Sequence, residues 1–328
     1  MIEFASILNL TICFAVPLLL VALGGMYSER SGVINIALDG IMIMGALVGC
    51  LVLKAMDASG WGDSVGKAQL GVLLAALIAG ASGIVFSLLL AFAAINLKAD
   101  QTIGGTALNI FAPAFAVVLA WAVQGKGHTD ILIPDWTSLQ AEALGITGQV
   151  NVDFLATLFK KFYITIPLAV ILLAVAWFVL FRTRFGLRLR SCGEHPQAAA
   201  SVGISVYKMR YSGVMISGFL GGVGGLAYVL VAALSFTGNV GGYGFLALAV
   251  MIFGNWMPGR ILFSALFFAL FKVIGTSYTL LPFLPKFEGV QKVYNLLPYI
   301  VTLLVLIFTS KKSRAPKAEG IPYDKGMR

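Results

Sequence analysis

The stretch Ser212–Leu230, SGVMISGFLGGVGGLAYVL, decides the class of fold of this chain. It is an apolar run of nineteen residues without a charged side chain. An apolar helix of roughly 20 residues spans the hydrocarbon core of a bilayer. The run also holds pairs of glycines four positions apart, Gly218 with Gly222 and Gly221 with Gly225. This spacing predicts a transmembrane helix that packs closely against its neighbours.

Similar apolar runs recur along the whole chain. Of its 328 residues 59% are hydrophobic and 11% charged, whereas soluble domains carry about 25% charged residues. The pattern predicts an all-α polytopic membrane protein with about nine transmembrane helices, eight and ten being the alternatives. The run 243–257 is short for a full crossing and predicts a broken or re-entrant helix. The predicted spans are 5–25, 33–53, 70–97, 103–124, 162–181, 211–234, 243–257, 260–280 and 295–310.

Basic residues set the predicted orientation. The loop 182–210 has six basic residues against one acidic, and the tail 311–328 has six against two. Because positive charge is retained on the cytoplasmic side, both segments are predicted to be cytoplasmic, and the N-terminus outside. We therefore divide the chain into a transmembrane domain, 1–310, which contains the loop, and a basic cytoplasmic tail. Topology accounts for the net charge of +9 without a nucleic-acid partner. The implied location is a plasma membrane, in contact with lipid.

The sequence lacks motifs for catalysis of its own. The string GDSVGKA, residues 62–68, is one residue too short for a phosphate-binding loop and ends in alanine where Ser or Thr should bind Mg²⁺. The cysteines and histidines show no metal-ligand spacing. We therefore expect a non-enzymatic transport subunit, with no metal and no cofactor of its own. Energy for active transport would come from another subunit or an ion gradient.

Polar residues interrupt two apolar runs. Ser31, Asn35 and Asp39 are four residues apart, which predicts one polar stripe on the second helix, with Asp39 about seven residues from its start. Thr106 and Asn109 belong to a second cluster, KADQTIGGTALNIF. Intramembrane polar groups usually face a pathway or a protein neighbour. For both clusters, lining of a substrate pathway and a structural role stay open.

The cytoplasmic loop predicts a short helix. Pro196 favours a helix start, so that PQAAASVGI forms the helix, and Gly203 favours its end. The helix either fits a socket in another protein, which we favour, or rests in the lipid interface.

Three strings carry a resemblance to a known family. They are RTRFGLRLRSCGEHPQAAASVGI (182–204), YSERSGVINIALDGIMIMGAL (27–47) and GYGFLALAVMIFGNWMP (242–258). Together they resemble the permeases of bacterial ABC importers, in the family of branched-chain amino-acid and ribose permeases. The second string resembles the nucleoside and simple-sugar branch. The chain departs from that branch at Asp39, where glutamate is expected, and the resemblance says little about the outer loop 125–161.

The resemblance implies a multi-subunit importer. Two permease subunits, usually different, form the pore, two ABC ATPase subunits dock from the cytoplasm, and an extracytoplasmic substrate-binding lipoprotein delivers cargo. ATP and Mg²⁺ are then bound in the ATPase subunits. For the coupling contact, the resemblance implies Gly193, Glu194, Pro196, Ala198, Ala199 and Gly203. As candidates for the substrate pathway we name Asn35, Asp39, Thr106, Asn109 and Phe245.

These observations predict the permease subunit of an ABC importer for nucleosides. A simple sugar or a riboflavin-like molecule is the alternative cargo for the same machinery. A different class is a secondary transporter that uses Asp39 as its proton or Na⁺ site.

Overall fold

The computed structural model describes residues 2–125, 127–140, 146, 153–278, 290–309 and 314–324. Within these ranges the chain is almost entirely helical, with one small antiparallel ribbon of strands β1, Ile131–Leu132, and β2, Ser235–Phe236. The helices are α1 Ile2–Arg30, α2 Leu38–Ala58, α3 Val65–Ala91, α4 Gln101–Gln124, α5 Phe154–Leu158, α6 Thr165–Arg182, α7 Arg184–Glu194, α8 Pro196–Ser201, α9 Val206–Tyr228, α10 Tyr243–Phe253, α11 Pro258–Thr276 and α12 Val290–Thr309.

Seven of the described helices are long and apolar enough to cross a membrane, namely α1, α2, α3, α4, α6, α9 and α11. Helices α3 and α9 each continue through one π-helical turn, to Asn96 and Ala233. The all-α membrane class is confirmed, whereas the count of about nine is not. Helix α10 has 11 residues, as expected for the short run, and α12 overlaps the ninth predicted span.

Helix α9 lies at the centre of the bundle, and its glycines touch backbone on two sides. A methyl group on Gly222 would lie 2.2 Å from the carbonyl oxygen of Ala79 in α3. One on Gly225 would lie 2.0 Å from the carbonyl oxygen of Met42 in α2. On α1, a methyl group on Gly24 would lie 2.9 Å from the Ser217 oxygen of α9. The predicted glycine-mediated packing is therefore confirmed, and it brings α1, α2 and α3 against one helix.

Helices α4 and α6 lie at the periphery. In the most apolar 18-residue stretch of each helix, only 17% of α4 and 22% of α6 is buried within the chain. Exposed apolar side chains include Ile103 and Ile110 of α4 and Val170 and Ile171 of α6. Such surfaces suit contact with lipid or with another membrane subunit.

The outer loop is tied to the bundle where the structure describes it. Strand β1 pairs with β2 next to the end of α9, and the Trp136 indole N–H donates to Asp57 Oδ1 at 2.7 Å. The five-residue helix α5 also belongs to this loop. Residues 126, 141–145 and 147–152 of this loop lie outside the described part.

Substitution of the central glycine tests the packing. We expect Gly222→Ala to lower the free energy of unfolding by about 1–3 kcal/mol, because the new methyl group meets backbone that cannot rotate away. Gly104→Ala is the control, since its methyl group would lie 3.7 Å from Leu90 Cδ1, an ordinary contact. Thermal unfolding in nanodiscs measures both variants. Equal melting temperatures for the two would contradict the close approach of α9 and α3.

Candidate transport and coupling sites

The chain between α1 and α2 is not helical. Helix α1 ends at Arg30 and α2 begins at Leu38, so the predicted stripe of Ser31, Asn35 and Asp39 on one helix is wrong. Gly32 has a φ of 97°, which breaks the helix. The Ser31 hydroxyl donates to the Ser28 carbonyl at 2.6 Å and so offers the backbone a partner outside the helix. We call residues 31–37 the interhelix break.

Helix α4 supplies hydrogen bonds to the backbone of the interhelix break. Asn109 Oδ1 accepts from the Gly40 N–H, and Asn109 Nδ2 donates to the Ile36 carbonyl, both at 2.8 Å. Gln101 Oε1 accepts from the Ile34 N–H at 2.7 Å. These two amides satisfy backbone groups that would otherwise be unpaired inside a membrane.

Asn35 and Asp39 connect the same region to two further helices. Asn35 is fully buried and donates through Nδ2 to Ser217 Oγ of α9 at 2.8 Å. Its Oδ1 has no hydrogen-bond partner within the described ranges. Asp39 lies in the first turn of α2, not seven residues deep, and its Oδ1 accepts from the Gly244 N–H at 2.9 Å. Asp39 thereby places an acidic group at the N-terminus of α10, where the helix dipole favours it.

Thr106 and Phe245 occupy a different environment from the other candidates. The Thr106 hydroxyl donates to the Thr102 carbonyl of its own helix at 2.8 Å, and the residue is exposed. Phe245 on α10 is 51% exposed. The structure therefore brings Asn35, Asp39 and Asn109 together around the start of α2. It leaves Thr106 and Phe245 on surfaces that this chain does not cover.

Sequence reasoning missed a buried contact between two of the three quoted strings. The Trp256 indole N–H donates to Glu29 Oε2 at 2.5 Å, and both residues are buried. Arg30 Nη2 donates to the Trp256 carbonyl at 3.1 Å. Both strings gave an indication of this contact, because each holds a charged or indole-bearing residue at the point where an apolar run ends. The contact joins the end of α1 to the turn between α10 and α11.

The loop 182–210 folds into two helices before α9, of which the sequence predicted the second. Helix α8 starts at Pro196, and Gly203 follows it with a φ of 81°, as expected. The unpredicted helix α7 is capped by Thr183, whose hydroxyl oxygen accepts from the Gly186 N–H at 3.1 Å. At the end of α7, a methyl group on Gly193 would lie 2.3 Å from the Arg30 carbonyl oxygen. The loop is thus in direct contact with the end of α1.

Helix α8 has one anchored face and one free face. Pro196 and Ala199 are buried, while Ala198 is exposed. Val202, just after the helix, is an apolar residue outside the membrane-spanning helices, and it is nevertheless 74% exposed. Glu194 Oε1 lies 3.9 Å from Arg30 Nη1, a pairing that contributes little at a partly exposed site. A short helix with one buried face and one exposed face, which carries Gln197, Ala198 and Ser201, can fit into a socket on another protein.

No metal site accompanies these groups. In the ranges that the structure describes, no three His, Cys, Asp or Glu residues lie together so that they could hold an ion. The geometry provides a membrane bundle with a polar break between α1 and α2 and a partly exposed short helix, α8, on one side. That combination is typical of a transport subunit.

Comparison with known proteins identifies the family. Residues 7–309 match the family described as branched-chain amino acid transport system / permease component, and the chain belongs to it. The chain is therefore a multi-pass membrane permease, a transport component and not an enzyme. No solved structure matches the chain.

Individual relatives cover nearly its full length. The chain is 42% identical to the guanosine ABC transporter permease protein NupQ of Bacillus subtilis, over 97% of this chain and 96% of that protein. It is 38% identical to the nucleoside ABC transporter permease protein NupC of Lactococcus lactis, over 95% and 94%. It is 31% identical to the putative glucose ABC transporter permease protein TsgC13 of Haloferax volcanii, over 93% and 91%.

Loss of the Asn109 amide tests the support of the interhelix break. We expect Asn109→Ala to destabilise the protein by about 1–3 kcal/mol, because it leaves the Gly40 N–H and the Ile36 carbonyl unpaired. Thr106→Ala is the matched control on the same helix, since its hydroxyl bonds only to its own helix. Thermal unfolding in nanodiscs distinguishes the two variants. A loss of stability in Thr106→Ala as large as that in Asn109→Ala would contradict the role of Asn109 in supporting the interhelix break.

Proposed function

We propose that this permease carries nucleosides into the cell as a subunit of a binding-protein-dependent ABC importer. The observation that carries the proposal is the near full-length similarity to permeases named for guanosine and for nucleosides. The exposed helix α8 supports it, because an importer without its own phosphate-binding loop needs a contact to an ATPase.

The partners follow from this assignment. A cytoplasmic ABC ATPase subunit binds ATP and Mg²⁺ and docks on α8 through the contact formed by Gly193–Gly203. A second permease subunit, different in sequence, completes the pore, and the partly uncovered helices α4 and α6 leave surface for it. An extracytoplasmic substrate-binding lipoprotein delivers the nucleoside. This chain needs no cofactor for its part.

The coupling route starts at α8 and ends at α2. A pull on α8 by the ATPase moves α7, whose Gly193 lies against the Arg30 carbonyl. Arg30 immediately precedes the interhelix break, so the movement reaches the residues that support the start of α2. Asn35, Asn109 and Asp39 hold that start against α9, α4 and α10. Rearrangement of these bonds would rock the bundle between its outward-open and inward-open forms.

Contacts between the cargo and the pore need only be weak, because the binding protein supplies the affinity for the cargo. Thr106 and Phe245 are exposed side chains that offer a hydroxyl and an aromatic ring. A nucleoside has complementary groups, a hydroxylated sugar and a flat base that stacks on aromatic rings. Asn35, Asp39 and Asn109 contribute to the pathway by holding the start of α2 in place.

Orientation and location complete the proposal. Helices α7 and α8 and the segment 314–324 lie together, since the Ala318 N–H donates to the Gly193 carbonyl at 2.8 Å. The loop 182–210 and the tail 311–328, to which these elements belong, are rich in basic residues, which favours the cytoplasmic side for each. We place the protein in the bacterial inner membrane with its C-terminal residues in the cytoplasm.

A second cargo class has its own support. The relative TsgC13 is named as a putative glucose permease, so a simple sugar is the main alternative. A riboflavin-like molecule shares the flat ring of a nucleoside. An ion-coupled secondary transporter has less support, because it leaves α8 without a role.

The test is cargo-dependent ATP hydrolysis. The chain is purified with its partner subunits in nanodiscs, and the binding protein is added with nucleosides, sugars or riboflavin. We expect nucleosides alone to stimulate hydrolysis. We expect the double variant Glu194→Ala, Pro196→Ala to lose that stimulation, because α8 loses the proline at its start and the end of α7 loses the carboxylate beside Arg30.

The control is Gly104→Ala, which lies far from α8 in sequence and removes no contact. Stimulation of ATP hydrolysis by a sugar or by riboflavin would support the ABC importer and contradict the nucleoside cargo. Uptake driven by a pH or Na⁺ gradient, without a co-purifying ATPase, would overturn the proposal.

A further inference from the structure

The segment Arg314–Asp324 lies across the cytoplasmic side of the bundle, although it is neither helix nor strand. Pro316, Ala318 and Tyr323 are buried in it, while Ile321 is 57% exposed. An irregular segment with buried side chains at separate points is held by specific contacts. Those contacts fall into two groups.

The first group joins the segment to the coupling helices. The Ala318 N–H donates to the Gly193 carbonyl at 2.8 Å. Tyr323 packs in one apolar cluster with Cys192, Ala199 and Val206, which come from α7, α8 and α9. Its ring meets the Tyr207 ring edge-on at 5.5 Å between centroids. The buried face of α8 therefore rests on this segment.

The second group joins the segment to the parts of the bundle that surround the interhelix break. Gly320, at a φ of 74°, lies so near Ile34 that an added methyl group would be 2.8 Å from Ile34 Cδ1. Lys98 Nζ, in the turn between α3 and α4, lies 2.7 Å from Asp324 Oδ2. The Arg314 N–H donates to Asn255 Oδ1 at 2.9 Å, in the turn after α10.

From these contacts we infer that residues 314–324 form a strap that ties coupling helix α8 to the interhelix break and carries its movement to α2. The inference rests on the proposed function, in which an ATPase moves α8. The strap touches both ends of that route, Ala199 at one and Ile34 at the other. It therefore provides a second connection beside the contact of Gly193 with Arg30.

The strap also brings a second carboxyl group to the buried Glu29. Glu319 lies beside Glu29 of α1, and burial raises the pKa of Glu319 to about 7, an effect that its hydrogen bond with Glu29 partly opposes. Of the nearby cations, Arg30 is engaged by Glu194 and Trp256, and Arg210 of α9 lies against Gly32. Lys317, next to Glu319 in the strap, is exposed. Protonation of Glu319 therefore favours the docked strap.

The first experiment loosens the strap at its ring contact. Wild type and Tyr323→Ala are compared in the complete transporter, with Tyr323→Phe as the variant that keeps the ring and Ile321→Ala as the exposed control. Hydrogen exchange is measured on α8 and on residues 31–37, and uptake per ATP hydrolysed is measured in proteoliposomes.

We expect Tyr323→Ala to raise exchange in both regions and to lower uptake per ATP about threefold, within the range of mutations that alter coupling between sites. Tyr323→Phe and Ile321→Ala should behave as wild type. Faster exchange confined to residues 314–324, with unchanged uptake per ATP, would overturn the inference. Exchange needs no cargo, so a wild type that shows no nucleoside stimulation would refute the proposed function and still report on the strap.

A second measurement uses pH. Because the pKa of Glu319 is raised in the docked strap, docking is strongest at pH values below the ordinary pKa of a glutamate. The contribution of the neutral Glu319 carboxyl group to docking is lost as pH rises through about 7. We expect the exchange protection of residues 314–324, corrected for intrinsic rates, to fall across that range. Glu319→Gln mimics the neutral acid and should remove the dependence. An unchanged dependence in Glu319→Gln would show that Glu319 does not control the strap.

Discussion

The close approach of α9 to its neighbours is the constraint on which the rest of the structure depends. Gly222 and Gly225 place α9 against the backbones of α3 and α2, and α1 covers a further side. In a membrane, no hydrophobic effect pulls helices together, so backbone proximity and dispersion contacts decide the packing. The contact of Gly225 with Met42 holds α2 against α9 beyond its start, whereas the start itself, at Leu38, is held in another way.

The start of α2 is held by side chains and not by a continuous helix. Asn109, Asn35 and Asp39 each reach a different neighbouring helix, and together they satisfy backbone groups that lipid could not. Hydrogen bonds of this kind can be exchanged without unpacking apolar surface. The polar residues that stand out in the sequence therefore connect the start of α2 to three neighbouring helices.

The end of α7, the turn after α10 and the segment 314–324 all contact the region around the end of α1. Gly193 meets the end of α1, Trp256 meets Glu29, and the segment 314–324 spans from α8 to Ile34. The first two contacts reach the end of α1, directly before the interhelix break, and the third reaches Ile34 within it. The three strings that mark the family in sequence are the three regions that meet there.

The sequence by itself determined the membrane class, the short helix α10, the glycine packing of α9 and the start of α8, because hydropathy, glycine spacing and proline act locally. It did not show that α2 begins at Leu38, since a four-residue polar spacing fits a helix equally well until Gly32 and the hydroxyls of Ser28 and Ser31 are seen to break it. Nor did it show which helix each polar side chain reaches, or where residues 314–324 lie. Those partners are distant in the chain, from Asn35 with Ser217 to Tyr323 with Ala199, and only the packing of the bundle brings them together.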